Sequence, residues 1–260
     1  MAPTVRNVGL GDALVNLANP SPARHAVIWD FDGTLVDTRA RNLSVTREII
    51  TTITSQSPDA FKALTSLASY KAATVRSRNW RDLYATEFGF PEEHIDRAGA
   101  LWTEYQHKST TAVRIIDGVP ETLQALDHLP HGIVSQNARA IISSVLHDSA
   151  LDGHFQAVIG YEEVAMSAQK PAPDGLLHCI EQLTAFRLGY VFYIGDHETD
   201  TLCAAYAKDE LAARGLPVEV VGIAALYEGE TTEAWSVEPD HEARRPQDIP
   251  HIVRQHVAGG

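Results

Sequence analysis

The chain has 260 residues with a net charge of −13, and 44% of its residues are hydrophobic. A chain of this length and composition can bury a large core, and it can hold one domain with an insertion. Its 34 acidic and 21 basic residues disfavour nucleic acid or an anionic membrane as a general partner. An anionic ligand would therefore need a local cluster of positive charge.

Targeting and cysteine patterns favour an intracellular protein. No run reaches the roughly 18 apolar residues of a membrane-spanning helix, and residues 1–24 lack the apolar core of a signal peptide. Cys179 and Cys203 have neither metal-binding nor redox spacing, so we expect two buried thiols rather than a disulfide. We therefore expect a soluble, cytoplasmic protein without a membrane segment.

The first predicted elements are an extension and a buried strand. Residues 1–24 close with Asn-Pro-Ser-Pro, and we predict an N-terminal extension with one short helix at residues 10–17. Residues 26–29 form an apolar run, which is typical of a buried parallel strand. Asp30 and Asp32 follow at once, and Gly33 after them allows a sharp turn.

Two carboxyl groups at the end of a buried strand indicate a ligand site. Burying such acids is costly unless a cation or hydrogen bonds compensate them. The carboxyl ends of the strands are also where open α/β sheets bind their ligands. A solvated acidic turn is the alternative for an isolated Asp-x-Asp, but the continuation Gly-Thr-Leu-Val-Asp after an apolar strand disfavours it.

Residues 38–112 show helical periodicity and no convincing strand. We predict four helices, whose apolar positions are Leu43, Ile49, Ile50 and Ile53; Phe61, Leu64 and Leu67; Trp80, Leu83, Tyr84 and Phe88; and Ile95, Ala98, Leu101, Trp102 and Tyr105. Four helices that interrupt an α/β pattern indicate an inserted bundle. We bound this bundle at about Asp37 and Ile116.

From residue 117 the pattern alternates between helices and strands. We predict helices at 119–129, 138–147, 174–183 and 199–214, and strands at 132–135, 156–161, 190–194 and 218–223. This alternation predicts a parallel sheet with right-handed crossovers.

Three further motifs lie where elements of this predicted sheet begin or end. Ser135 follows the apolar residues 132–134, and Lys170 precedes a predicted helix in Lys-Pro-Ala-Pro-Asp. Asp196 follows the strand at 190–194, and Asp200 comes four residues later, one turn further on if a helix begins there. We expect Asp30 and Asp196 to bring carboxylates from two strand ends to one cation.

In this order, the four motifs resemble the signature of the haloacid dehalogenase-like (HAD) superfamily, in its phosphatase branch, over about residues 25–250. The resemblance implies a Rossmann-like, doubly wound parallel α/β sheet with an inserted α-helical cap, and a terminal short strand near residues 239–241 and short helix near residues 246–250. We therefore assign residues 25–37 and 117–260 to a core domain and residues 38–116 to a cap domain. The acid at Asp32 argues against the dehalogenase branch, which lacks it, and against transport ATPases, which carry Thr there.

The resemblance also implies roles for the four acids. Asp30 is the nucleophile that forms an aspartyl-phosphate, and Asp32 is the general acid and base for the leaving group and the water. Asp30, Asp196 and the backbone carbonyl of Asp32 bind Mg²⁺, which prefers hard oxygen ligands; Asp200 is a secondary ligand or supports the others. A cation is needed because a phosphate monoester dianion repels an attacking anion.

The resemblance also implies that polar residues of the second and third motifs bind the phosphoryl group. Ser135 donates a hydrogen bond to a phosphoryl oxygen, and Lys170 balances the negative charge as a point charge. Many relatives carry Asn directly after this Ser, whereas here Gln136 follows and Asn137 comes next. Either amide could therefore contact the substrate. His197 is either a solvent-side neighbour of Asp196 or a pocket contact.

Residues 71–81 contain four basic residues and no acid. In so acidic a chain, Lys71, Arg76, Arg78 and Arg81 form an unusual cluster, which we call the basic patch. One interpretation is a solvated helix face. The other is that some of these residues, with Tyr70 or Trp80, meet the leaving group of a small anionic substrate when the cap closes. Arg76, Arg78 and Arg81 are then the candidate substrate-binding residues.

We therefore expect a Mg²⁺-dependent phosphatase that hydrolyses small phosphomonoesters, similar to phosphoglycolate phosphatases or acting on sugar phosphates. A phosphomutase of the β-phosphoglucomutase type is the alternative, since it uses the same aspartyl-phosphate. A non-catalytic binding protein on this fold is disfavoured by the complete set of acids and the lysine. We expect no nucleic-acid or membrane partner, and a monomer or homodimer.

Overall fold

The computed structural model describes residues 24–77 and 79–257. The short helix predicted at residues 10–17 and the side chain of Arg78 lie outside these residues. Among the described helices, none is both long and apolar enough to cross a lipid bilayer.

A six-stranded parallel sheet forms the centre of the molecule, as predicted. In chain order the strands of the described residues are β1 (Ala26–Trp29), β2 (Val36–Asp37), β3 (Arg114–Ile115), β4 (His131–Val134), β5 (Phe155–Ile159), β6 (Gly189–Gly195), β7 (Val218–Ala225) and β8 (His241–Ala243). The sheet order is β5-β4-β1-β6-β7-β8, and every neighbouring pair is parallel. The two remaining strands, β2 and β3, form a separate two-stranded sheet.

The register of the sheet brings the sequence motifs to one edge. β1 lies between β4 and β6, and its last residue, Trp29, lies opposite Ile133 of β4 and Ile194 of β6. The residues that follow these three strands therefore leave the sheet side by side. This carboxyl edge is where open α/β sheets bind ligands.

Helices cover both faces of the sheet. In chain order they are α1 (Arg39–Thr54), α2 (Leu67–Arg76), α3 (Trp80–Phe88), α4 (Glu92–Lys108), α5 (Val119–Ala125), α6 (Arg139–Asp148), α7 (Asp174–Thr184), α8 (Glu198–Ala213) and α9 (Ile249–Val257). Residues of α5, α6 and α9 share one buried apolar cluster with the sheet, and residues of α7 and α8 share a second one. The second cluster includes Cys179 and Cys203, which are free thiols. This arrangement confirms the predicted doubly wound α/β fold.

Helices α1 to α4 surround a third apolar cluster of their own. Its centre is aromatic: Tyr84 and Phe88 meet edge to face with ring centroids 5.1 Å apart, and Phe61 meets Phe88 in the same way at 5.6 Å. Such pairs add to the stability that burial of the rings provides. The division of the chain into a core and a cap domain at residues 38 and 116 remains our proposal.

The position predicted for the second helix was wrong. The apolar positions 61, 64 and 67 span two short 3-10 turns, Pro58–Ala60 and Lys62–Leu64, and α2 begins only at Leu67. Ser66 fixes this start, because its hydroxyl accepts a backbone N–H of the first turn at 3.0 Å. The apolar spacing thus reflected packing against the third cluster rather than a continuous helix.

The helix predicted at residues 119–129 ends early, at Ala125. Leu126 and Asp127 donate to the carbonyls three residues before them, at 3.2 and 3.4 Å, so the last turn is tightened. Pro130 then follows, and a residue that precedes proline disfavours the helical conformation.

A two-stranded ribbon joins the ends of the helical insertion. Strands β2 and β3 are antiparallel, with Val36 opposite Ile115 and Asp37 opposite Arg114. The sequence did not predict these strands, because each has only two residues and shows no periodicity. The ribbon brings the two connections to the insertion together beside the end of β1.

Candidate active site

Four carboxyl groups gather at the carboxyl edge of the sheet. Asp30 follows β1, Asp196 follows β6, and Asp200 lies in the first turn of α8. An oxygen from each of these three groups lies within 4.8 Å of the others. Asp30 is only 6% exposed and Asp200 only 4%. Asp32, the fourth acid, is close enough to raise the pKa of Asp30 electrostatically.

Gly33 allows Asp196 to approach the first motif. Its φ is +83°, and its N–H donates to the carbonyl of Val36 at 2.8 Å to close the turn. A Cβ at this position would lie 2.0 Å from Oδ2 of Asp196. Only glycine provides both the left-handed backbone and the space.

Lys170 bridges two of the acids. Its Nζ donates to Oδ1 of Asp30 and to Oδ1 of Asp200, each at 2.6 Å, and its side chain is 5% exposed. Burial alone lowers the pKa of the Lys170 ammonium, but the charges of Asp200 and Asp30 outweigh burial and raise it well above its usual range. Lys170 therefore keeps its positive charge.

The oxygens of Asp200 are occupied by donors, whereas those of Asp196 are not. Oδ1 of Asp200 accepts from Lys170 and from the hydroxyl of Tyr193 at 2.9 Å, and Oδ2 accepts from the backbone N–H of His197 at 3.2 Å. Within residues 24–77 and 79–257, no hydrogen-bond donor contacts the Asp196 carboxyl group. The two acids of the last motif are thus in different environments, one saturated and one open to a ligand.

Negative charge exceeds positive charge in this site. Burial raises the pKa of Asp30 to about 7, against the opposing effect of Lys170, and burial together with Asp30 and Asp200 raises the pKa of Asp196 well above its usual range. One ammonium group cannot balance four carboxyl groups. Carboxylate oxygens at this spacing are ligands suited to a hard divalent cation.

Asp32 is held by two side chains. The hydroxyl of Thr38 donates to its Oδ1 at 2.5 Å, and Nδ2 of Asn137 donates to its Oδ2 at 3.2 Å. Burial raises the pKa of Asp32, and these two hydrogen bonds oppose that rise. Thr38 occupies the N-cap position of α1 but makes no cap hydrogen bond with its side chain. Its hydroxyl therefore hydrogen-bonds to Asp32 and does not cap the helix.

Asn137, rather than Gln136, reaches the acids. The Gln136 side chain donates to the backbone carbonyl of Lys170 at 3.0 Å, away from Asp32. Ser135 is buried, and its hydroxyl oxygen accepts the backbone N–H of Asn137 at 3.1 Å. His197 is half-buried and caps α8, with its Nδ1 accepting the backbone N–H of the second residue of that helix at 3.3 Å.

The described members of the basic patch pair with acids. Lys71 contacts Glu228 and Glu230 (2.7 Å), Arg76 contacts Glu87 (2.7 Å), and Arg81 contacts Glu92 and Asp96 (2.7 Å). None of these contacts reaches the acids at the sheet edge. These acidic partners come from α3, α4 and the loop after β7. They lie outside residues 71–81, so the sequence of that segment did not indicate them.

Two residues of the site were missed from the sequence. Tyr193 stands in an apolar strand, where nothing distinguishes it from a core aromatic residue. Thr38 comes six residues after Asp32, and a threonine just before a helix is usually its N-cap. A hydroxyl residue that begins a helix directly after an acidic motif is the signal that could have indicated it.

Comparison with known proteins decides the family. A family model described as haloacid dehalogenase-like hydrolase matches residues 27–213, well over half of the chain. The chain belongs to this family. The resemblance predicted from the four motifs is confirmed, and the protein is an enzyme, a hydrolase of the haloacid dehalogenase-like family.

Curated relatives of this HAD-like hydrolase align over nearly its full length. Pyrophosphatase PpaX of Listeria monocytogenes is 26% identical over 231 residues, which cover 88% of this chain and 95% of the relative. Pyrophosphatase PpaX of Bacillus velezensis is 24% identical over the same shares.

Solved structures share the fold. A HAD-superfamily hydrolase of subfamily IA from Geobacter sulfurreducens has a TM-score of 0.59 at 21% identity and covers 89% of this chain and 97% of its own. A predicted phosphoglycolate phosphatase from Haemophilus somnus has a TM-score of 0.61 at 15% identity, with coverage of 88% and 97%. At such identities the likeness establishes the fold and not the substrate.

Proposed function

We propose that this HAD-like hydrolase is a Mg²⁺-dependent phosphatase that cleaves small phosphorylated compounds through an aspartyl-phosphate at Asp30. The observation that carries the proposal is the contact of Lys170 with both Asp30 and Asp200 at 2.6 Å. This contact leaves Asp196, which has no donor among the described residues, open beside the nucleophile. The arrangement gives one nucleophilic acid, one fixed positive charge and one acid free to bind a cation.

The metal-binding role falls to Asp30, Asp196 and the backbone carbonyl of Asp32, as the family resemblance implies. When bound, Mg²⁺ neutralises the oxygens of the phosphoryl group and lowers the repulsion that an attacking carboxylate meets. Asp200 is better suited to holding Lys170, because both of its oxygens already accept hydrogen bonds.

The side chains divide the reaction between them. A carboxylate oxygen of Asp30 attacks phosphorus, and the bond from phosphorus to the leaving oxygen breaks. Asp32 donates a proton to that oxygen, and Lys170 and Ser135 stabilise the phosphoryl oxygens. In the second half, Asp32 takes a proton from water, which attacks phosphorus and releases Asp30.

The environment of Asp32 suits an acid that first carries a proton and then accepts one. Burial raises its pKa and so favours the protonated form that a proton donor needs. The hydrogen bonds from Thr38 and Asn137 orient its two oxygens. Asp30 and Asp32 are thus separated by one residue in the sequence but have different hydrogen-bond partners. These different environments allow one acid to act as the nucleophile and the other as the proton donor.

The substrate class we propose is a small phosphorylated anion. Relatives named pyrophosphatase and a structural neighbour named a predicted phosphoglycolate phosphatase both support it. The second candidate is a phosphomutase of the β-phosphoglucomutase type, which would return the phosphoryl group to a sugar. Release of inorganic phosphate supports the phosphatase, and isomerisation of a sugar phosphate without release supports the mutase.

Removing divalent metal should stop turnover. With an aryl phosphate as substrate, we expect excess chelator to lower the rate by at least about a hundredfold, and Mg²⁺ to restore it. Ca²⁺ should bind but support poor turnover, because its looser and larger coordination shell misplaces the nucleophile. Unchanged activity in excess chelator would rule out the metal-dependent mechanism.

The metal-free protein should lose stability as the pH rises. Asp30, with a pKa raised from 3.8 to about 7, keeps its proton in the folded state after the unfolded chain has released it. The folded state therefore binds more protons between about pH 4 and pH 7, and the free energy of unfolding falls by up to about 4 kcal/mol over that window. Denaturant unfolding in chelator at several pH values measures this loss.

Added Mg²⁺ should restore the lost stability near pH 8, because it binds the ionised acids of the folded state. Asp196→Asn is the control: it removes one buried acid, so the metal-free variant should be less sensitive to pH and gain little from Mg²⁺. Equal stabilisation of wild type and Asp196→Asn by Mg²⁺ would show that the ion binds elsewhere.

A further inference from the structure

Arg41 in the first turn of α1 has an unsatisfied charge. Its side chain is half-buried, and its Nε donates to the backbone carbonyl of Thr111 at 2.8 Å. Within residues 24–77 and 79–257, its two terminal nitrogens have no hydrogen-bond partner and no carboxylate within ion-pair distance. The nearest influences on its charge are Asp148 and Asp32, which act on it only electrostatically.

Other cations of the helical insertion are satisfied or exposed. Carboxylates pair with Arg39, Arg47, Lys71, Arg76, Arg81, Lys108 and Arg114. Lys62 and Arg97 lie in solvent. Arg41 is therefore the half-buried cation of the described insertion that no carboxylate contacts. Its burial lowers the pKa of the guanidinium, and an anion at its free nitrogens would offset that cost.

The position of Arg41 relates it to the proton donor. Thr38, whose hydroxyl contacts Asp32 at 2.5 Å, lies three residues before Arg41 and so on the same side of α1. The electrostatic coupling between Arg41 and Asp32 shows the same proximity. Asp32 serves the leaving oxygen in the proposed reaction, so we infer that Arg41 acts on the leaving-group side of the site.

Polar side chains continue from Asp32 along the inner side of α1. Asn42 donates to the Thr38 hydroxyl at 3.2 Å, and Gln106 of α4 donates to Oδ1 of Asn42 at 2.8 Å. Gln106 is 2% exposed, yet its carbonyl oxygen has no donor among the described residues. A buried acceptor without a partner is costly, and a hydroxyl of a ligand or a water would satisfy it. This second unsatisfied group belongs to the same hydrogen-bonded chain as the proton donor.

We propose that Arg41 binds a negative charge carried by the leaving group of the substrate, and that it selects phosphorylated compounds whose leaving group bears a carboxylate or a phosphate. The inference rests on the proposed phosphatase function and names its substrate class. A guanidinium presents two parallel N–H donors that match a carboxylate or phosphate. In the described members of the basic patch, by contrast, each charge already pairs with a carboxylate.

The test compares two arginines of the same helix. Arg41→Gln removes the proposed anion contact, and Arg47→Gln removes an arginine whose charge already pairs with Asp59 at 2.8 Å. Each variant is assayed with Mg²⁺ on pyrophosphate and phosphoglycolate, whose leaving groups are anionic, and on an aryl phosphate, whose leaving group has no second charge. Thermal melting checks that both variants fold.

Arg41→Gln should lower kcat/KM by about 10- to 100-fold on at least one of the two anionic substrates and by less than about threefold on the aryl phosphate. Arg47→Gln should leave all three values near wild type. Arg41→Lys keeps the charge but loses the paired donors, so it should recover only part of the activity. An equal loss on all substrates would make Arg41 a positioning residue for Asp32, and no loss would leave it without a role; either result overturns the proposal.

A binding measurement separates this inference from the proposed function. If wild type releases no phosphate from any substrate, the phosphatase proposal fails, and calorimetry with methylenediphosphonate and Mg²⁺ then decides the role of Arg41. Binding to wild type that is at least about tenfold tighter than binding to Arg41→Gln supports anion recognition. Equal affinities, or no binding to either protein, overturn it.

Discussion

Replacing Asp30 with Asn is expected to lower turnover of any phosphate ester by at least about a thousandfold while the protein stays folded. An amide cannot supply the attacking oxyanion, and it is a poor ligand for Mg²⁺. The fold should tolerate the change because Asn has nearly the same shape and removes a buried charge. The measurement is kcat with an aryl phosphate and Mg²⁺, together with the melting temperature.

A matched change on the surface controls for general effects. Asp209 lies exposed on α8, and Asp209→Asn should retain wild-type activity. Activity of Asp30→Asn close to that of wild type would remove the proposed mechanism. A loss of activity together with a loss of folding would call for the more conservative Asp30→Glu, which keeps the charge but displaces the oxygen.

Replacing Lys170 with Met should damage both activity and stability. Its ammonium contacts Asp30 and Asp200 at 2.6 Å from a buried position. Without it these acids stay buried and uncompensated, so the metal-free protein should lose about 3–5 kcal/mol near pH 8. We also expect kcat to fall by at least about a hundredfold on anionic and aryl substrates alike, because Lys170 acts on the phosphoryl group that they share.

The stability lost in Lys170→Met should depend on pH in a defined direction. Removing the ammonium raises the pKa of Asp30 further, so the folded state holds its proton to higher pH. The destabilisation should therefore be smaller near pH 5, where the acid is protonated, than near pH 8. Lys208→Met is the control, because the Lys208–Asp240 pair has a similar distance, 2.7 Å to Oδ1, but is exposed. It should cost less than about 1 kcal/mol.

A destabilisation by Lys170→Met no larger than that of Lys208→Met would contradict the charge balance described for the site. Unfolding curves of the two variants in chelator, at both pH values, provide this comparison directly. A large loss of stability with unchanged kcat would instead restrict Lys170 to a structural role.

Much of the core was predictable because its strands are apolar and their ends are marked. The run at residues 26–29 and the strand before Asp196 are buried on both faces, so their sequences are continuous and easily located. Parallel pairing then requires that their carboxyl ends meet. The positions of Asp30 and Asp196 relative to each other follow from that constraint.

The helical insertion was less predictable because its contacts are between elements. The 3-10 turns before α2 share apolar spacing with a helix, and only the cap at Ser66 separates them. The sequence did not indicate acidic partners for Arg76 and Arg81, because those partners lie 11 to 15 residues away. Arg41 was not predicted as a site residue, because a single arginine in a helix has no local sequence signature. Only the packing of the folded chain leaves its terminal nitrogens without a partner among the described residues.

The interpretation of Gln136 and Asn137 shows the same limit. Sequence order left both amides as candidates, because each follows Ser135 closely. The turn after β4 directs Asn137 toward Asp32 and Gln136 toward the backbone of Lys170. That choice depends on side-chain direction in an irregular segment, for which no periodicity exists.

The central claim is that Asp30 becomes phosphorylated during turnover, and chemical trapping of the intermediate tests it most directly. Enzyme mixed with an aryl phosphate and Mg²⁺ is quenched in acid and reduced with borohydride, which converts an aspartyl-phosphate to homoserine, and its peptides are analysed by mass spectrometry. The mechanism predicts homoserine at position 30 in wild type, more of it in Asp32→Asn, where hydrolysis of the intermediate is slowed, and none in Asp30→Asn. Conversion at another residue, or phosphate release with no conversion at position 30 in either wild type or Asp32→Asn, would contradict it.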